Sequence, residues 1–141
     1  ICAITRTDVY QHWIHRNPES GTADRETKWI ELEKRFTPGI DWTGFERYRR
    51  TPIYATPQIY HIPFGMVDYA LARIVAMQIA RIDHDDHERA MGMYIELCRL
   101  GGRHSFTDTL QLAGLRSPFD DAVIAEVAEY AWWIVNGENR V

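Results

Sequence analysis

The amino-acid sequence predicts an all-α fold, and three observations carry that prediction. Apolar residues recur at three- and four-residue intervals along most of the chain. Gly, Pro and Ser/Thr/Asp residues interrupt those runs where helices start and stop. No alternating run of β-branched residues bounded by turns marks a strand. Residues 1–141 therefore read as a single helical domain of about six or seven helices.

Residues 3–16 place Ile4, Val9, Trp13 and Ile14 in an approximately helical stripe that stops before Asn17-Pro18, because the residue before proline disfavours helix. Thr22 is positioned to cap a second helix, with Trp29, Ile30, Leu32 and Phe36 on its apolar face and Thr37-Pro38-Gly39 ending it. Asp41-Trp42-Thr43-Gly44 reads as a loop leading to a short helix near Phe45–Arg50. The proline-rich stretch 51–63 is expected to be irregular or extended. A long apolar helix then carries Phe64, Val67, Leu71, Ile74, Val75 and Ile79, with Pro63 suited to its first turn.

The polar cluster Asp83-His84-Asp85-Asp86 separates that helix from the next, residues 86–100, where Met91, Tyr94, Leu97 and Cys98 share a face. Gly101-Gly102 stop it. Ser105 or Thr107 caps a short helix reaching Leu112. Ser117-Pro118 opens the last helix, with Val123, Val127, Tyr130, Ala131 and Ile134 inward and Asn136-Gly137 closing it. Trp132 and Trp133 are adjacent there and cannot point the same way, so one packs inward and the other is open to an interface.

Composition narrows the function classes. With 45% hydrophobic and 12% aromatic residues, the 141-residue chain is neither disordered nor collagen-like. It is long enough to bury roughly two-thirds of its unfolded surface. Sixteen Lys and Arg against 20 Asp and Glu give a net charge of −4, which argues against nucleic acid as a partner. The longest uncharged run, Thr51 to Val67, contains Pro52, Pro57 and Pro63, so no membrane span is expected. Cys2 and Cys98 form neither a disulfide framework nor a metal-site spacing. The chain opens Ile1-Cys2-Ala3, without an initiator Met or a cleavable signal, and reads as starting within a longer sequence.

No His-Glu-x-x-His, phosphate loop or Gly-x-Ser-x-Gly elbow is present, so no self-contained catalytic motif is visible. His84 and His87, set among Asp83, Asp85, Asp86 and Glu88, form the most ligand-like stretch, but such a cluster at a helix junction is more often solvated. His12 and His15 are three apart without a third ligand at suitable spacing, and His12 is expected packed or hydrogen-bonded beside a core Trp13. Tyr54, Tyr60, His61 and Tyr69 surround a Pro-Phe step that starts a buried helix. Their hydroxyls and imidazole are donors able to stabilise an oxyanion, although aromatics at such a place also serve to cover a core edge.

Asp8-Val9-Tyr10-Gln11-His12-Trp13-Ile14 resembles the Asp-x-Phe-Gln-His-Trp stretch, followed by Ile or Val, of oligoendopeptidase F-like zinc metallopeptidases, the thimet oligopeptidase group. Similar stretches follow in order: Lys28-Trp29-Ile30-Glu31-Leu32, Pro38 to Gly44, Ile59 to Ala72, Tyr94 to Cys98, Leu100-Gly101-Gly102, Ser105-Phe106 and Ala113 to Phe119. The resemblance implies a helical fold around a peptide-binding channel, with zinc held by His-Glu-x-x-His and a later glutamate upstream of this stretch. It makes the chain the C-terminal, substrate-cleft portion of such a peptidase. On that resemblance this portion is expected to hold no metal ligands or cofactor of its own, to be inactive alone and to be cytoplasmic.

The same portion of the family carries the pattern His-Ile-Tyr-x-x-Pro-Phe-Tyr-Tyr-Ile-Asp-Tyr, which binds substrate and stabilises the tetrahedral intermediate. With Pro63-Phe64 in register, the family histidine falls on Gln58 and the paired tyrosines on Gly65 and Met66, while Tyr60, Asp68 and Tyr69 match. A shorter loop would instead bring His61 into the histidine's place. Tyr60, His61 and Tyr69 are thus the expected substrate-binding residues. Losing one oxyanion donor costs about 10²–10³ in rate, so the substitutions leave a second reading open: a non-catalytic homologue that binds a peptide or a partner protein. The expected partners are a peptide substrate or the missing N-terminal half of the catalytic domain. An apolar face left by that half would also favour homo-oligomers.

Overall fold

A computed structural model describes the backbone of residues 2–137 and the side chains of residues 6–137. Among these residues there are seven α-helices, three short 3-10 turns and no strand, so the all-α prediction holds. The helices are α1 (Cys2–Arg16), α2 (Thr22–Phe36), α3 (Pro57–Tyr60), α4 (Met66–Asp85), α5 (His87–Leu100), α6 (Phe106–Leu112) and α7 (Asp121–Asn136). No helix among the described residues is long and apolar enough to cross a membrane. The contacts group into two compact units, residues 1–70 and 71–141.

In the first unit α1 and α2 pack side by side. The buried stripe of α1 is Thr7, Tyr10 and Gln11, with Val9, Trp13 and Ile14 partly buried around it, whereas His12 is exposed rather than packed. The side chains of Cys2 and Ile4 lie outside the described residues. Tyr10 meets Trp29 edge-to-face at 5.3 Å, and Leu32, Ile53 and Ile59 complete the core. Gly21, not Thr22, is the N-cap of α2, because the Asp24 carboxylate turns back to accept the Gly21 N–H at 3.1 Å.

The loop after α2 is organised by one buried acid. Glu33, 2% exposed, accepts from Trp42 Nε1 at 3.0 Å and from Arg49 Nε at 2.6 Å, with Thr37 Oγ1 at 3.3 Å. Arg49 lies in the 3-10 turn Glu46–Arg49, so this one carboxylate binds the 42–49 loop to α2. The stretch 51–63 is more helical than its prolines suggest: a 3-10 turn at Thr51–Ile53 and α3 each place Pro at an early position, where its missing N–H costs nothing. Pro63 does not open α4. An Ile62–Gly65 turn intervenes, and the helix starts at Met66.

In the second unit α4 runs through the expected break to Asp85, and only Asp86 separates it from α5, accepting the Arg89 N–H at 3.0 Å. The inward face of α5 is Ala90, Met93, Leu97 and Leu100; Met91, Tyr94 and Cys98 are exposed, one position off the expected stripe. Ser105 caps α6, its hydroxyl accepting the Asp108 N–H at 3.2 Å. Asp120, not Ser117-Pro118, caps α7, and Gly137, at φ 72°, ends it. Val123 and Val127 are buried with Ile74, while Ile134 faces outward. Trp133 is partly buried and Trp132 is 54% exposed.

Burial pushes the Glu33 carboxyl up, but the Trp42 and Arg49 hydrogen bonds and the Arg49 charge together hold it below the ordinary carboxylate range. A depressed folded pKa contributes stability that is present above the unfolded value and lost as pH falls through the folded one. Glu33→Ala should therefore cost about 3 kcal/mol near neutral pH, since it leaves Arg49 and Trp42 without their acceptor. The wild-type advantage should shrink below roughly pH 4. Thermal unfolding of both forms across pH 3–7 checks this, and a pH-independent gap would refute it.

Candidate functional site

The segment that carries Tyr60 and His61 is positioned by a single side chain. Gln11 projects from the inward face of α1 and is 5% exposed. Its Nε2 donates to the carbonyls of Gln58 (2.7 Å) and Ile59 (3.2 Å), and its Oε1 accepts the Phe64 N–H at 2.8 Å. The amide thus satisfies backbone groups on both sides of the Tyr60–Pro63 bend. Three backbone groups at the junction of two helices would otherwise lack partners, and each orphan costs about 1–3 kcal/mol.

Phe64 sits at φ 60°, an unfavourable region for a residue with a β-carbon. Its bond to Gln11 helps hold that conformation. The next residue has to be small: a β-carbon on Gly65 would meet Ile62 Cγ2 at 2.5 Å and the Ile62 carbonyl oxygen at 3.2 Å. Gly65 is therefore a requirement of this turn, which closes by the Gly65 N–H donating to Ile62 O at 3.1 Å.

On this frame the three expected binding residues are displayed at the surface. Tyr60, the last residue of α3, is 52% exposed. His61 follows it as the C-cap, its backbone N–H donating to Pro57 O at 2.8 Å while its side chain is exposed. Tyr69, in the first turns of α4, is 63% exposed. Their side chains make no hydrogen bond to another described residue, so their polar atoms are open to a ligand. Ile62, Phe64 and Val67 are exposed in the same stretch and make it an apolar surface as well as a polar one. Tyr60 and His61 are neighbours at one bend; Tyr69 stands on the helix beyond it.

Beneath this surface lie polar groups that the sequence did not single out. The Tyr10 hydroxyl is buried without a hydrogen-bond partner among the described residues, and burial raises its pKa, with Tyr60 adding to the effect. Asp8 lies beside the Met66 backbone N–H at the start of α4, its Oδ1 buried without a hydrogen-bond partner among the described residues. Its pKa is raised by burial, although the Met66 N–H opposes this, with Asp68 nearby adding to the rise. Tyr54 donates to Glu26 Oε1 at 2.9 Å and so is tied to α2. Gln11 itself is not among the residues expected at the site. Its signal was the spacing Thr7, Tyr10, Gln11, Ile14, which puts an amide on the inward stripe of an otherwise apolar face.

The two histidine pairs do not assemble ligand sets. His87 Nδ1 pairs with Asp83 Oδ1 at 2.7 Å, while His84 packs 4.8 Å from the Trp133 ring. Among the described residues no group of three or more His, Cys, Asp and Glu side chains could hold a metal ion. The zinc implied by the family resemblance therefore finds no ligand set among the described residues.

Gln11→Leu, close in size but unable to hydrogen-bond, should cost about 3 kcal/mol or more, since it leaves three backbone groups without partners. It should also raise amide exchange at Phe64 while leaving exchange within α7 unchanged. Hydrogen exchange by NMR reads both effects, and unchanged protection at Phe64 would sink the assignment of Gln11 as the clamp.

No family model matches the sequence, and no curated protein matches it. Solved structures do. A protein assigned as an oligoendopeptidase F, solved at 3.1 Å, is 31% identical with a TM-score of 0.84 over 97% of this chain and 25% of that one. PZ peptidase A, solved with an inhibitor, is 29% identical with a TM-score of 0.84 over 96% of this chain and 25% of its own. An assigned oligoendopeptidase F of Bacillus anthracis str. Ames is 29% identical, with a TM-score of 0.71 over 96% of this chain and 21% of that one. The chain spans about a quarter of the length of these structures. Over nearly its whole length, in sequence as well as fold, it resembles an oligoendopeptidase F chain and corresponds to about a quarter of one.

Proposed function

We propose that this chain is the C-terminal, substrate-cleft portion of an oligoendopeptidase-like zinc metallopeptidase, contributing to peptide-bond hydrolysis in the parent and inactive alone. The observation that carries the reading is 29–31% identity to peptidase structures over at least 96% of the chain. A cytoplasmic location belongs to the same reading. The catalytic metal and its general base are supplied by residues elsewhere in the parent.

The chain's own part is to bind and orient. Tyr60 and His61 offer an O–H and an N–H donor beside each other on the bend that Gln11 holds, and Tyr69 offers a third donor from α4. Such donors hydrogen-bond the carbonyl oxygens of an extended peptide, and one aimed at the reacting carbonyl strengthens as charge develops there. The exposed Ile62, Phe64 and Val67 side chains give apolar contact for the peptide's own side chains.

A second reading, a non-catalytic peptide- or protein-binding homologue, is favoured by one specific observation. The positions where the family carries paired tyrosines are Gly65 and Met66, and the Ile62–Gly65 turn has no room for a side chain at Gly65. A tyrosine hydroxyl cannot be supplied from there while this turn persists. An upstream His-Glu-x-x-His in the full-length gene product favours the peptidase; its absence favours the binding protein.

Purified chain should not cleave an internally quenched peptide, with or without added zinc, yet should bind that peptide in a calorimetric titration. Tyr60→Phe, His61→Ala and Tyr69→Phe should each weaken binding by roughly two- to tenfold, the worth of one hydrogen bond. Chelator-sensitive cleavage by the chain alone would overturn its inactivity. Binding indifferent to all three substitutions would overturn the site.

A further inference from the structure

We propose that a hollow within the second unit, between the end of α4 and one face of α7, binds the basic side chain of a peptide, lysine or arginine. The proposal does not rest on the peptidase reading. The hollow is about 490 Å³ and is lined by Arg81, His84 and Asp85 from α4 and by Glu126, Glu129, Tyr130 and Trp133 from α7. Those positions follow helical spacing, i, i+3, i+4 on one side and i, i+3, i+4, i+7 on the other, so each helix presents one continuous face. The volume is of the order that takes a small ligand or a long side chain.

The floor is aromatic. Tyr130 and Trp133 stack with ring centroids 5.7 Å apart and planes 19° from parallel, and the His84 ring lies 4.8 Å from Trp133. Tyr130 is fixed by its hydroxyl donating to Ala80 O at 2.9 Å, so the floor is preorganised. It already faces a cation on one side: the Arg81 guanidinium lies 5.9 Å from the Tyr130 ring centre.

The edge is acidic. Three carboxylates stand against one guanidinium in the lining. Asp85 pairs with Arg81 at 2.5 Å and Glu126 with Arg116 at 2.7 Å, whereas Glu129 has no ion-pair partner among the described residues. An entering ammonium or guanidinium meets an uncommitted carboxylate beside aromatic faces that accommodate its aliphatic stem. An acidic ligand meets net negative charge. The complementarity therefore selects a long cationic side chain.

The test is a calorimetric and NMR titration of the full chain with acetylated, amidated tripeptides Gly-X-Gly, where X is Lys, Arg, norleucine or Glu. The Lys and Arg peptides should bind saturably, weaken as salt is raised, and shift the Trp133 indole signal. The norleucine and Glu peptides should bind at least about fivefold more weakly. Glu129→Gln, an exposed substitution that keeps the fold, should weaken the Lys peptide by about fivefold, and Trp133→Ala by a similar factor. Absence of saturable binding, equal binding of the norleucine or Glu peptide, or full affinity in Glu129→Gln would each overturn the proposal.

Discussion

The side-chain amide of Gln11 is the constraint on which the first unit's surface depends. The chain between α3 and α4 has to reverse within a few residues, and its backbone groups need partners that neither helix supplies. One buried amide, donating twice and accepting once, provides them. The consequences run outward. Phe64 is held at positive φ, Gly65 closes the turn against Ile62, α4 begins at Met66 and not at Pro63, and Tyr60 and His61 are left facing solvent.

The same device recurs in the second unit, where Gln78 of α4 donates to Arg116 O at 3.1 Å and accepts the Arg116 N–H at 3.2 Å. There the amide fixes the link between α6 and α7. A glutamine suits both places because one planar group presents a donor and an acceptor on a side chain long enough to cross from a helix to a neighbouring loop. Glu33 does related work with charge: a carboxylate accepts several donors at once and so gathers Trp42, Thr37 and Arg49 onto α2. Its burial is tolerated because Arg49 pairs with it.

Much of the fold was legible in the sequence, because helix periodicity and stop signals are local properties. Pro18, the 37–39 stop, Gly101 and Gly137 mark ends close to where helices end. What was not legible was set by distant partners. Nothing local says that the Ile62–Gly65 turn, held by Gln11 from α1, displaces the start of α4 from Pro63. The stripe on α5 shifted by one residue because Met93, Leu97 and Leu100 pack with Val75 of α4 and Leu110 of α6, a choice that packing makes among similar apolar residues. Tyr60, His61 and Tyr69 were visible as donor residues in an apolar stretch. The clamp beneath them was not, since an amide's role depends on the carbonyls it reaches.

In the proposed function, Gln11 shapes the peptide-binding surface by holding the segment that bears its donors. The most direct measurement is the peptide affinity of Gln11→Leu beside that of the wild type, under conditions where circular dichroism shows both fully folded. If the clamp presents the donors, affinity falls by about tenfold or more although Tyr60, His61 and Tyr69 are untouched. Unchanged affinity in the folded variant would show that Gln11 does not present these donors.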